Sequence, residues 1–228
     1  MLILSLPKKL QSLFDSRPTH RVNYELLIYY KITNSQVILK EMFDIVNIFS
    51  YLCRMKTIVV LGMHRSATSL VAKGLDSVIH MGDRDNDLPA SESQTEGYYE
   101  NLKFGYLNND ILKRAGGCWE RPPSEERILE QLPFFEDRIK ELIKEEGEGH
   151  EIWGWKCPRT VLTIRLFHPF LENPHYVACF RNPIDVANSL YNAYGLPHQE
   201  GMNCAIEYNH RLVKFLADTH INTYLNKK

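Results

Sequence analysis

Residues 57–75 read TIVVLGMHRSATSLVAKGL, a short apolar run followed by a glycine and a segment with helical spacing. The run TIVVL is rich in β-branched residues, which is typical of a buried parallel strand. Gly62 allows a sharp exit from that strand, and a helix is predicted to begin near Thr68. The stretch therefore has the layout of a phosphate-binding loop between a strand and a helix.

The loop lacks the lysine that nucleotide-hydrolysing P-loops use. When the pattern G-x-x-x-x-G-K-[ST] is counted from Gly62, Ala67 takes the place of the second glycine and Thr68 that of the lysine. The amides of residues 65–69 can still form a concave nest at a helix N-terminus, which binds phosphate through N–H donors and the helix dipole. The sequence therefore predicts a phosphate site that works without the lysine.

Side chains of the same loop add to this predicted site. Arg65 contributes a fixed positive charge, and hydroxyl groups follow it along the loop. We interpret His64, which lies inside the loop, mainly as a packing residue. The candidate donor-binding residues of the loop are Gly62, His64, Arg65, Ser66, Ala67, Thr68 and Ser69.

Composition limits the class of protein. The chain has 228 residues, 44% hydrophobic and 24% charged, as expected for a globular protein with a proper core. With 27 basic and 28 acidic side chains, it gives no support to a nucleic-acid partner. The five cysteines form neither a CxxC pair nor a Cys/His cluster with zinc spacing, so we expect no metal and a reducing compartment. No apolar run approaches the ~20 residues of a membrane span, and we expect a soluble, cytoplasmic protein.

A domain boundary is predicted near Met55. From there, MKTIVVLGMHRS is typical of the opening of an α/β domain whose first strand begins at Thr57. Residues 1–54 are predicted to be a helical extension, because ELLIYY and ILKEMFDIVNIFSYL have partial helical periodicity. Two interpretations stay open: the extension packs on the domain of residues 55–228, or Met55 is the true start of the protein.

Strand-like and helix-like segments alternate after this boundary. EIWGWK and HYVACF are strand-like, and each precedes a proline-containing turn and a helical run. A single helix is predicted over residues 124–146, and residues 82–101 form a polar loop long enough to be functional. This alternation predicts an α/β fold with three α/β/α layers around a parallel sheet, with ligands beyond the carboxyl ends of the strands.

Two further motifs follow predicted strands. In FRNPIDVANSL, residues 180–190, Arg181 leaves a strand and Ser189 lies about two helical turns further on, so the pair can bracket a second phosphate. The alternative is that Asp185 or Asn182 caps the helix and Arg181 is only a surface charge. In WGWKCPRT, residues 153–160, Lys156 ends a strand and Arg159 opens the next helix. Both cations are expected to face the same strand edge as the loop.

Together the three motifs resemble the family of sulfotransferases that use 3'-phosphoadenosine 5'-phosphosulfate (PAPS), closest to its bacterial and Golgi-type branch. GMHRSATSL is similar to the 5'-phosphosulfate loop of that family, G-x-x-R-S-G-T-[ST]. FRNPIDVANSL resembles its 3'-phosphate motif, R-[ND]-P-x-D-V-x-x-S. GWKCPRT matches a K-x-P-R turn of bacterial members, and EGYYENLKFGYLNNDIL resembles their GYxE segment.

The resemblance implies a P-loop-like fold and the transfer of a sulfuryl group from PAPS to a hydroxyl or amine acceptor, without a metal. It implies that Arg65 faces the bridging oxygen of the leaving phosphate, with Lys156 assisting. Arg181 and Ser189 would hold the 3'-phosphate. Because the Golgi-type branch uses a glutamate as base, Glu100 is the first candidate for that role, ahead of Glu96 and His80.

The chain departs from the family pattern at two places. Ala67 replaces the loop glycine, which costs little unless the backbone angle φ is positive there. Family members also continue into a further strand and helix, whereas this chain ends at NTYLNKK. Two interpretations stay open: the protein is a shortened member that lacks part of the donor pocket or sheet, or the sequence is incomplete. A shortened, non-catalytic nucleotide-binding protein is therefore an alternative function.

A P-loop kinase or other phosphotransferase is the other alternative. Such an enzyme should have the loop lysine and an acidic strand end for magnesium. Thr68 stands in the lysine position and Lys156 makes the neighbouring strand end basic, so the sequence favours the sulfotransferase. The acceptor is not specified by the composition of the polar loop.

Overall fold

The computed structural model of the chain describes residues 26–29, 57–82 and 98–225, and side chains within 57–82 and 98–219. Four strands lie in these residues: β1 (Leu26–Tyr29), β2 (Thr57–Gly62), β3 (Trp153–Lys156) and β4 (Pro174–Phe180). The helices are α1 (Thr68–Asp76), α2 (Leu102–Arg114), α3 (Glu125–Leu129), α4 (Leu132–Gly147), α5 (Thr160–Phe167), α6 (Pro183–Tyr194) and α7 (His198–Leu225). The predicted α/β class is confirmed.

The four strands form one parallel sheet in the order β1-β4-β2-β3. β2 is fully buried and pairs with β4 on one side and with β3 on the other. In this register Val60 lies opposite both Lys156 and Val177, and Gly62 lies opposite Cys179. The carboxyl ends of β2, β3 and β4 therefore meet at one edge of the sheet.

Both faces of β2 contribute to the core. Val59 and Leu61 belong to the larger apolar cluster, in which the rings of Phe104 and Trp155 stack at a centroid distance of 4.2 Å. Ile58 belongs to a second cluster, which includes buried residues of α1. Alternate residues of a strand point to opposite faces, so both faces of β2 are covered, which is compatible with the predicted three-layer arrangement.

The segment 124–146 is two helices and not the single helix that its periodicity predicts. Ser124 caps α3, since its hydroxyl oxygen accepts a hydrogen bond from the Arg127 amide at 3.4 Å. α3 ends at Leu129, and α4 begins at Leu132 with Pro133 in its first turn. Proline lacks an N–H and clashes with the preceding turn, so it fits a helix start and not a helix interior.

The prediction that residues 1–54 are helical is wrong at Leu26–Tyr29. These four residues are a strand, and they pair in parallel with residues 177–180 of β4. The sheet therefore does not begin at Thr57, and it extends across the predicted boundary near Met55. The run ELLIYY is as apolar as a buried strand, and short apolar runs do not distinguish strand from helix. The rest of residues 1–54 lies outside the described part of the chain.

No helix in the described part of the chain is long and apolar enough to cross a membrane.

The close pairing of β2 and β3 gives a test of the sheet. A Cβ atom at Gly154 would lie far inside the contact distance of the backbone carbonyl oxygen of Ile58. We expect Gly154→Ala to lower the free energy of unfolding in urea by about 2 kcal/mol or more, because neither backbone can move away. Gly105→Ala, inside α2, is the control, because a Cβ atom added at Gly105 has no neighbouring atom within 4 Å. We expect this change to raise the free energy of unfolding by about 0.5–1 kcal/mol. Equal effects of the two changes would contradict the pairing.

Candidate anion-binding site

A pocket of about 250 Å³ lies at the edge where β2, β3 and β4 end. The β2–α1 loop provides most of one wall, and the end of β3 and the segment after β4 provide cations. Eight of the eleven residues predicted for the site line this pocket: His64, Arg65, Ala67, Thr68, Ser69, Glu100, Lys156 and Arg181. The structure thus brings together residues up to 117 positions apart in sequence.

Gly62 is required by the close approach of two strands. A Cβ atom at Gly62 would lie 2.7 Å from the carbonyl oxygen of Cys179 and 2.7 Å from Cγ2 of Thr68. Both distances are shorter than any ordinary Cβ contact, so a larger residue would push the loop away from β4. Gly62 acts by letting the loop turn closely over the sheet.

Two alternate residues of the loop have a left-handed backbone conformation. Arg65 and Ala67 both have positive φ angles, 65° and 64°, and the amide of Ser66 donates to the carbonyl oxygen of Met63 at 3.1 Å. Ala67 is the N-cap of α1 and provides no side-chain cap for the first helical turn. Amides of a first helical turn have no acceptor within the helix, so this loop can present N–H groups to an anion. The departure at Ala67 therefore falls where the backbone favours glycine.

The second predicted phosphate motif contacts the first. Nε of Arg65 donates to Oγ of Ser189 at 2.9 Å, and Nη1 of Arg181 donates to the carbonyl oxygen of Arg65 at 2.8 Å. Ser189 does not line the pocket in this arrangement, whereas Arg181 does. Asn182 caps α6 through a hydrogen bond of 2.9 Å from the Ile184 amide, so the alternative that Asn182 has a capping role is also correct. Arg181 is nevertheless more than a surface charge.

A buried ion-pair cluster forms the floor of the site. Oε1 of Glu100 accepts from Nζ of Lys156 at 3.0 Å, and Oε2 accepts from Nη1 of Arg159 at 3.2 Å. The side chains of Lys156 and Glu100 are 1% and 7% exposed, so water screens this pairing very little. The cluster carries a net charge of about +1, which adds to the charges of Arg65 and Arg181.

These neighbours set the protonation state of Glu100. Burial raises the pKa of its carboxyl group, but the charges of Lys156 and Arg159, and that of His64 where it is protonated in acid, lower it by more, so the pKa lies below its ordinary value of 4.5. The stabilisation from this ion pairing is complete above the ordinary pKa and is lost as the pH falls through the lower pKa of the folded state. At neutral pH, Glu100 is therefore an ionised partner of two cations.

His64 differs from Glu100 in having no polar partner. It is buried in the pocket wall, and neither ring nitrogen has a hydrogen-bond partner among the described residues. Burial lowers the pKa of His64 to about 3, and the charges of Arg159, Lys156 and Arg65 add to this while Glu100 opposes it. The ring is therefore neutral at pH 7.

The other predicted residues have separate positions. Ser66 is buried, and its hydroxyl group has no partner among the described residues. His80 lies beside Trp153, at the start of β3 and away from the pocket, where it stacks on His150 at 3.8 Å. Glu96 lies outside the described residues. In the part of the chain that the structure describes, no group of three or more His, Cys, Asp or Glu side chains is placed to hold a metal ion.

Sequence reasoning missed the aromatic side of the pocket. Tyr98 and Tyr194 line it, and the Trp119 ring packs edge-on to Tyr194 at 6.0 Å. Tyr98 stands only two residues before Glu100, which was a usable signal. Tyr194 ends α6 and Trp119 lies between α2 and α3, and no local pattern connects either of them to the loop.

Comparisons with known proteins add no relative to this description: no protein-family model, curated protein or solved structure matches the chain.

The positive φ at Ala67 gives a direct test of the loop. A left-handed backbone costs a non-glycine residue about 1–2 kcal/mol, and the greater freedom of glycine in the unfolded chain offsets part of this. We therefore expect Ala67→Gly to raise the free energy of unfolding by about 0.5–1 kcal/mol. Ala72→Gly, a buried helical position in α1, is the control and should lower it by about 1 kcal/mol or more. A destabilised Ala67→Gly protein would contradict the loop geometry.

The buried cluster predicts that removing the charge of Glu100 lowers stability and strengthens anion binding. Glu100→Gln leaves Lys156 buried without its counter-charge, so we expect urea unfolding to show a loss of about 3 kcal/mol. The same change makes the pocket more positive, so sulfate should bind more tightly than to the wild type in calorimetry. Glu136→Gln, which breaks the exposed pair with Lys140, should change stability by no more than about 0.5 kcal/mol and leave sulfate binding unchanged. A stable Glu100→Gln protein with weaker sulfate binding would refute this account of the cluster.

Proposed function

We propose that the chain is a PAPS-dependent sulfotransferase that moves a sulfuryl group to a hydroxyl or amine acceptor. The observation that carries the proposal is the meeting of Arg65, Lys156 and Arg181 in one pocket at three adjacent strand ends. Cations at that edge, next to a loop that presents amides, suit a ligand with two separate anionic groups. The proposal includes a P-loop-like, three-layer α/β/α fold.

The two anionic groups of the donor would bind to different parts of the pocket. The amides and hydroxyl groups of residues 65–69 would take the 5'-phosphosulfate, because they begin α1 and carry no side-chain cap. Arg181 would take the 3'-phosphate, with Ser189 becoming available when Arg65 turns toward the donor. The hydrogen bonds of Arg181 and Ser189 to Arg65 in the free protein support a linked movement of the two phosphate subsites.

Sulfuryl transfer needs charge stabilisation on the leaving phosphate. Negative charge grows on the bridging oxygen as its bond to sulfur breaks, and a fixed guanidinium beside it lowers the barrier. Arg65 would fill that role, with Lys156 as a second cation. Glu100 keeps Lys156 and Arg159 in place, and its lowered pKa makes it a weaker base than the sequence alone suggested.

Nucleotide preference separates this function from a kinase. We expect calorimetry to show that 3'-phosphoadenosine 5'-phosphate binds more tightly than ATP, and that a chelator does not weaken its binding. The reason is that Thr68 replaces the loop lysine that would contact β- and γ-phosphates, while Arg181 offers a cation to a 3'-phosphate. Tighter binding of ATP that requires magnesium would favour the phosphotransferase. Binding without sulfuryl transfer to any acceptor would favour a non-catalytic nucleotide-binding protein.

The position of Arg181 predicts which phosphate contact the change Arg181→Ala removes. We expect Arg181→Ala to weaken binding of 3'-phosphoadenosine 5'-phosphate by about 2 kcal/mol, the range for one charged hydrogen bond. Binding of adenosine 5'-phosphate, which lacks the 3'-phosphate, should change little. Arg138→Ala is the control, since Arg138 pairs with Asp110 on the surface and is 54% exposed. If both nucleotides lose affinity equally, Arg181 supports the loop and does not recognise the 3'-phosphate.

A further inference from the structure

His64 is the buried polar group of the pocket that the proposed donor contacts leave unexplained. The residue is only 7% exposed, it lines the pocket, and both Nδ1 and Nε2 are without a hydrogen-bond partner among the described residues. Buried polar atoms in folded proteins are nearly always paired, and an exception calls for a functional explanation. A ligand in this pocket is the available partner.

Aromatic packing holds the imidazole in place. The ring of His64 lies 4.4 Å from the Trp119 ring at an interplanar angle of 36°, and Tyr208 approaches it edge-on at 6.2 Å. Tyr208 is itself fully buried, and its hydroxyl group donates to the carbonyl oxygen of Trp119 at 3.3 Å. The ring is thus held by aromatic contacts, and both ring nitrogens are buried without a hydrogen-bond partner among the described residues.

The Glu100 carboxylate already accepts hydrogen bonds, whereas the His64 imidazole makes none among the described residues. Each oxygen of Glu100 already accepts a hydrogen bond from a cation, one from Lys156 and one from Arg159. A proton placed on Glu100 would break these buried pairings, which is unfavourable. A proton placed on His64 breaks no hydrogen bond among the described residues.

We propose that His64 takes the proton of the acceptor hydroxyl during sulfuryl transfer, an inference that rests on the proposed function. The acceptor oxygen forms a bond to sulfur, and the bond between sulfur and the bridging oxygen of the donor breaks. The electron pair of that bond leaves with 3'-phosphoadenosine 5'-phosphate. The acceptor proton moves to a free nitrogen of His64, and the imidazolium later releases it to water.

Donor binding makes His64 a better base. In the free protein, burial lowers the pKa of His64 to about 3, helped by Arg159, Lys156 and Arg65 and opposed by Glu100. The donor brings several negative charges against the same cations and so offsets their effect, which raises the pKa of the ring. A base works best with a pKa near the working pH, so donor binding makes His64 a more effective base than it is in the free protein.

The first test follows the protonation of His64 with 3'-phosphoadenosine 5'-phosphate. Two-dimensional ¹⁵N–¹H NMR of the imidazole, assigned with His64→Asn, should show a neutral ring down to pH 5 in the free protein. In the complex the ring should titrate above pH 5. A ring that stays neutral to pH 5 in the complex as well would overturn the inference. Failure of the nucleotide to bind would instead refute the proposed function.

The second test measures transfer of labelled sulfate from PAPS to phenol, 4-nitrophenol, N-acetylglucosamine and water. We expect His64→Asn to lower kcat/KM by 10²- to 10⁴-fold with phenol and less with the more acidic 4-nitrophenol. His175→Asn, which alters a buried histidine at the start of β4, should retain activity.

The pH dependence of the wild type keeps the inference testable if His64→Asn does not fold. In any active His64→Gln protein, kcat/KM should no longer fall at acidic pH. In the wild type, the fall of kcat at acidic pH should follow the pKa of His64 that NMR gives for the complex. Unchanged activity of both His64 variants, or a wild type that binds the nucleotide and transfers nothing, would overturn the inference while leaving nucleotide binding intact.

Discussion

The parallel pairing of β2 with both β3 and β4 is the constraint on which the site depends. β2 is buried along its whole length, and glycines allow closer approach at two points: Gly154 against Ile58, and Gly62 against Cys179. Because the three strands run in the same direction, their last residues emerge at one edge. The loop after β2, the end of β3 and the segment after β4 then share one pocket, although the three are far apart in sequence.

The charge of that pocket is arranged in two layers. Glu100 lies beneath the surface and neutralises part of the charge of Lys156 and Arg159, which allows both cations to stay at a buried position. Arg65 and Arg181 lie closer to the opening and contact one another through the loop backbone. The inner cluster therefore keeps the floor stable in the absence of a ligand, and the outer arginines add positive charge to the lining of the pocket.

The sequence predicted the features of the fold and site that depend on local patterns. The alternation of strands and helices gave the α/β class, and glycine, proline and cations after each strand gave the position of the pocket at the strand ends. Gly62, Lys156 and Arg181 were found in this way, because a strand end is a property of a few consecutive residues.

Features that depend on distant contacts could not be predicted from such patterns. The pairing of Glu100 with both Lys156 and Arg159 joins residues more than 50 positions apart, and the contact of Arg65 with Ser189 spans 124 positions. The sequence predicts a helix at Leu26–Tyr29, where the structure has a strand. A short apolar run does not distinguish the two and does not show that the segment pairs with β4. The sequence favours His64 as a packing residue, and its contact with Trp119 supports this. That neither of its ring nitrogens has a hydrogen-bond partner among the described residues is visible only in the folded structure.

We propose that three strand ends build one site for a ligand with two anionic groups. A crystal structure of the chain with 3'-phosphoadenosine 5'-phosphate is the decisive test. We expect the 5'-phosphate within hydrogen-bond distance of the amides of residues 65–69 and the 3'-phosphate on Arg181, with the hydrogen bond between Arg65 and Ser189 broken. A nucleotide bound away from this pocket, or with its 3'-phosphate in solvent, would rule out such a site.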